Sequence, residues 1–92
     1  MIEQDIAKGR QAKELLDNPL LNECFDALEK ELLNQWRQSS VEDPAGREKL
    51  YLMYKMQERL KLHIRTFLDT GKMSEAILEQ DTIMQKTKKL LG

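Results

Sequence analysis

The stretch from Asp43 to Gly71, DPAGREKLYLMYKMQERLKLHIRTFLDTG, holds the longest unbroken helical pattern in the chain and carries its own start and stop signals. Asp43 ahead of Pro44 makes a good N-terminus. The carboxylate accepts from a free backbone N–H, and proline at the first helical position gives up no hydrogen bond. Asp69-Thr70-Gly71-Lys72 reads as the stop, with Gly71 free to take the left-handed conformation that closes a helix. The helix between them, residues 44–70, is a rod roughly 39 Å long. Leu50, Met53, Tyr54, Met56, Leu60, Ile64, Phe67 and Leu68 fall on one broad face of it, and the subset Leu50, Met53, Gln57, Leu60, Ile64 and Phe67, at 3-4 spacing, forms its expected packing seam. Gln57 is the one polar member, either fixing register or sitting at the edge of the stripe. The opposite face is less ordinary: Tyr51, Leu52 and Leu62 interleave there with Lys55, Arg59, His63 and, further round, Arg47. A solvated face has no need of three large apolar residues, so they call for a second cover, from the chain's own terminal helices or from a partner, and these seven positions form the expected partner-binding surface.

The remaining segments pack against this rod. Residues 1–16 form a short helix in which Ile2, Ile6 and Leu16 share a side that Gly9 and Lys13 interrupt, and it is expected to be mobile unless something holds it. Asp17-Asn18-Pro19 repeats the cap-then-proline pattern and opens a helix over 19–38, with Leu21, Cys24, Phe25, Leu28, Leu32 and Trp36 as its stripe. Ser39 to Glu42 is a connection of the length that joins antiparallel helices. Folding back there sets Trp36 on Leu50, Leu32 on Met53, Leu28 on Gln57, Phe25 on Leu60 and Leu21 on Ile64. Ser74 caps a further helix over 74–90, whose seam (Ala76 or Ile77, Ile83 or Met84, Leu90 or Leu91) is broken by Gln80 and Thr87. That segment is either a tail or an arm for another subunit. The expectation is one all-α domain over 1–92, a long antiparallel helical hairpin with shorter N- and C-terminal helices.

Charge separates along the chain rather than accumulating. Residues 17–43 hold seven acids against Lys30 and Arg37, a net of −5, and residues 44–68 hold six bases against Glu48 and Glu58, a net of +4, in a chain of formal net charge −1. Two neighbouring helices of opposite sign attract on folding. The alternative use of the basic helix is phosphate contact by Arg47, Lys55, Arg59 and Arg65, with Tyr51 to stack on a base, which would make the chain a nucleic-acid-binding module.

Little in the sequence points to catalysis. Cys24 falls in an apolar stripe and is expected to be a small core residue, while His63 points to the outer side of the rod, so no Cys–His pair forms. No His, Cys and carboxylate cluster has metal spacing and no glycine-rich phosphate loop occurs, so neither enzyme chemistry nor a cofactor or metal is expected. A single cysteine forms no internal disulfide, the longest apolar run is only Leu50 to Tyr54, and no charged-then-apolar leader follows Met1. These features point to the cytoplasm, with no membrane association.

Two passages, NPLLNECFDALEKELLNQW and DPAGREKLYLMYKMQERLKLHIRTFLDTGKM, together resemble a group of small helical proteins of tailed bacteriophages. In that group an acidic helix with the pattern PLL…F..LE…L..W precedes a D..GRE.L helix ending in TGK. The matching positions here are Pro19, Leu20, Leu21, Phe25, Leu28, Glu29, Leu32 and Trp36, then Asp43, Gly46, Arg47, Glu48 and Leu50, then Thr70, Gly71 and Lys72. The resemblance covers about residues 17–73 and brings no catalytic role. It implies a phage protein at work in the host-cell cytoplasm, in head assembly or DNA packaging, or as an inhibitor of a host protein. With the residue-level reading, this gives a non-enzymatic assembly protein that binds protein through its helices and forms a homo-oligomer, dimer or higher.

Overall fold

In the computed structural model, which describes residues 1–91 and side chains through Leu90, the chain is all-α. Three helices make up the described residues: α1 (Ile2–Asp17), α2 (Pro19–Gln38) and α3 (Pro44–Leu91). The side chain of Leu91, one choice for the last seam position, lies outside the described residues.

The first two boundaries follow from side-chain chemistry. Asn18 is the single extended residue between α1 and α2, and its Oδ1 accepts from the Leu21 N–H at 3.1 Å. The amide of Asn22 reaches back to donate to the Leu16 carbonyl at 2.8 Å, so the end of one helix and the start of the next satisfy each other. Ser39 closes α2, donating both its N–H and its hydroxyl to the Trp36 carbonyl. Asp43 Oδ1 then accepts from the Gly46 N–H at 3.0 Å, with Pro44 as the first residue of α3.

The far end of the rod departs from expectation. Gly71 stops nothing: α3 runs through it without a break for 48 residues, absorbing the separate helix expected over 74–90. Among the described residues no glycine has positive φ. What Gly71 supplies is the absence of a side chain. It meets Gly9 of α1 backbone to backbone, and a Cβ built on either glycine would lie 2.8 Å from the other's Cα. Ser74, expected to be a cap, is buried in mid-helix and donates its hydroxyl to Asp5 Oδ2 at 3.5 Å. Ile6, Ala12 and Leu68 are buried beside this crossing, and Arg10 pairs with Glu75 at 3.5 Å. Thus α1, expected to be mobile unless something held it, is held by α3 through this close backbone crossing.

Both shorter helices run antiparallel to α3 in series along its length. Asp5 lies opposite Ser74 and Gly9 opposite Gly71. Further on, Phe25 lies under Lys61, Glu29 opposite Tyr54 and Trp36 under Arg47. The result is a rod of 76 × 24 × 16 Å with a radius of gyration of 21.1 Å, against about 12 Å for a compact chain of this length.

The seam on α3 is turned by one residue from the expected one. Leu50, Gln57 and Ile64 are shared; Tyr54 and Leu68, expected on the same broad face, take the places of Met53 and Phe67, and Lys61 takes that of Leu60. The crossing with α1 explains the turn. Because α3 is one continuous rod, the face that puts Gly71 and Ser74 against α1 also fixes the face presented to α2 two and more turns earlier. Tyr54 and Lys61 serve there because each buries an apolar body and keeps its polar tip wet. Met53 (53% exposed), Met56 (65%), Leu60 (53%) and Phe67 (50%) are left outside. Phe25 is buried as expected, whereas Leu60 is not, and Cys24 is exposed rather than part of the core.

Candidate interaction surface

The α2–α3 contact is a single seam without a third helix over it, so apolar side chains line both of its flanks. Near the connecting loop, Leu32, Leu33, Trp36, Leu50, Tyr51, Tyr54 and Lys55 line an open groove of about 330 Å³. On the other flank, Leu28, Leu32, Leu52, Met53, Met56, Gln57 and Leu60 line an open groove of about 540 Å³. Leu32, almost fully buried, forms the wall between them.

The seven residues expected to form one partner-binding strip are distributed among several surroundings. Tyr51 and Lys55 belong to the first groove, where the Lys55 ammonium lies 5.6 Å from the Tyr51 ring centre and 3.2 Å from Glu58 Oε2. Leu52 belongs to the second. Arg47 is half-buried with its guanidinium 5.2 Å from the Trp36 ring, a stacking position at the loop end. Arg59, Leu62 and His63 are exposed and line neither groove. Arg65, the further base of the phosphate-contact reading, is paired with Asp69 at 3.8 Å.

Two polar details mark the seam between the grooves. The Tyr54 hydroxyl donates to Glu29 Oε1 at 3.2 Å, and the negative charge of Glu29, followed by that of Glu58, raises the phenol above its usual value of 10.0. Gln57 is only 6% exposed, and its side-chain oxygen has no hydrogen-bond partner among the described residues. Buried acceptors are nearly always paired, so an orphan at the floor of a groove is informative.

Leu28, Met53 and Leu60 were assigned to the seam by their spacing and instead line the groove, together with Met56. The signal for this was present in Gly9 and Gly71, two glycines inside helical patterns, a position that costs about 1 kcal/mol each relative to alanine. Read as a close helix crossing, they select the turned seam. Among the described residues no group of three or more His, Cys, Asp and Glu side chains is arranged to hold a metal ion, and no helix is long and apolar enough to cross a membrane. Set against models of known families, curated proteins and solved structures, the chain matches none.

Proposed function

We propose that this chain is a non-enzymatic assembly protein that works through helix-mediated protein–protein contacts and associates with itself, with the α2–α3 hairpin as its binding element. The setting implied by its resemblance to small phage proteins is head assembly, DNA packaging or inhibition of a host protein, in the host-cell cytoplasm. The observation that carries the reading is surface area. The chain exposes 7880 Å², whereas a compact monomer of 10.8 kDa exposes about 5,500 Å². The difference of about 2,400 Å² per chain is of the size that obligate complexes bury. Exposed apolar side chains line both sides of the α2–α3 seam.

Sedimentation velocity over a hundredfold concentration range, with and without duplex DNA, tests the reading. An oligomer insensitive to moderate salt and indifferent to DNA supports it. A monomer that binds DNA with affinity falling steeply as salt rises overturns it in favour of the phosphate-contact reading.

A further inference from the structure

We propose that the groove formed by Leu28, Leu52, Met53, Met56 and Leu60 is a twofold docking surface that takes the same surface of a second copy of this chain. The proposal rests on the self-association reading above and names the face and the geometry that reading leaves open. Three observations carry it.

The first is the pattern of exposure. The side chains of Met53, Met56 and Leu60 are each more than half exposed, although they form a regular 3-4 stripe on a helix that has buried tyrosine and lysine stems instead. A helix with one mixed seam covered and one apolar stripe open presents that stripe to a neighbour it has not yet met. The second is Gln57, whose buried oxygen lacks a donor at the floor of the same groove. A covering helix can bring one, which the chain by itself does not.

The third is charge. Glu31 stands one turn beyond Leu28 on α2, and Lys49 stands two turns before Met56 on α3; both are exposed. The groove therefore has an acidic rim on one helix and a basic rim on the other. A twofold axis running along the helices lays α2 of each copy over α3 of its partner, so the net negative helix meets the net positive one twice. Each Glu31 then lies about one helical turn along from a Lys49, within reach of its long side chain. This arrangement is self-complementary in the way an isologous interface requires, and it makes a four-helix bundle from two open two-helix layers.

The face opposite carries Leu62 (62% exposed), which lies outside both grooves. The test is sedimentation velocity with circular dichroism on the wild type, Met56→Glu and Leu62→Glu. A carboxylate at position 56 would be desolvated in the interface, and association should weaken by about a hundredfold or more, leaving a helical monomer. Leu62→Glu should sediment as the wild type. An oligomer that survives Met56→Glu, or one that dissociates with Leu62→Glu, overturns the proposal while leaving the self-association reading intact. A wild-type monomer at 100-fold the working concentration overturns both.

Should Met56→Glu fail to fold, geometry is read by cross-linking. Cys24→Ser/Gln35→Cys protein is mixed with Cys24→Ser/Lys49→Cys protein, two exposed positions that the arrangement brings level, and oxidised. A disulfide-linked mixed dimer supports the crossed arrangement, and failure to form one overturns it.

Discussion

Tyr54 shows how a residue that looks out of place in an apolar stripe earns its position. Its ring lies in the seam and its hydroxyl donates to Glu29, whose charge opposes formation of the phenolate. The phenol is therefore raised in the folded chain relative to 10.0, the value it has when unfolded. A group raised on folding contributes stability that is complete below the unfolded pKa and is lost as pH climbs through the folded one. The stability difference between wild type and Tyr54→Phe should accordingly be constant at neutral pH and shrink above pH 10.0. Denaturant titrations at a series of pH values check it, and a difference that stayed flat past pH 11 would remove the Glu29 contact as its cause. Phe25 and Leu60, by contrast, look equivalent in sequence. Phe25 is 8% exposed and Leu60 53%. Phe25→Ala should cost about 3–5 kcal/mol, and Leu60→Ala roughly 1 kcal/mol under conditions where the chain is a monomer. Equal costs in dilute thermal melts would return Leu60 to the intramolecular core.

At the scale of the helix, what was legible in the sequence was local and what was not depended on a distant partner. Asn18, Ser39 and Asp43 each act within three or four residues of themselves, and the boundaries they set are found where the sequence puts them. Gly71 and Ser74 carry the same local signature of a stop and a cap, but their roles depend on Gly9 and Asp5, more than sixty residues away. The turned seam follows from the same cause. The identity of the exposed residues, and so of the candidate surface, was illegible until that crossing fixed which face of α3 was spent. Gly71→Ala gives the crossing a direct test. In an unobstructed helix it would stabilise by about 1 kcal/mol. Here the added methyl meets the Gly9 backbone at 2.8 Å, and backbone is not free to yield. The crowding should cost about 1–3 kcal/mol and outweigh the gain in propensity. Amide hydrogen exchange in Gly71→Ala should show α1 losing protection while α2 keeps it. A gain in stability with α1 unchanged would mean that the two helices do not touch through these glycines.

The whole molecule is a rod only 16 Å thick in its narrowest direction. That is little more than the diameter of one helix with its side chains, so no residue can be surrounded on every side by the chain's own atoms. No side chain among the described residues is completely buried, and the core reduces to a line of contacts between α3 and the two helices beside it. Such a line has a small free energy per residue, and mass action then becomes a visible part of stability. If the second copy completes the fold, unfolding and dissociation are one event. A tenfold rise in protein concentration then adds about 1.4 kcal/mol per dimer. With an unfolding entropy of about 2.1 cal/mol/K per residue over two chains, the melting temperature should rise by about 3–4 °C for each tenfold step. Met56→Glu should abolish that slope, because a monomer melts at a temperature independent of its concentration, and it should melt below the wild type at every concentration. Calorimetric scans of both proteins over two decades of concentration make the comparison. A wild type with no slope, melting cooperatively as a single chain, would show that this thin seam is sufficient on its own.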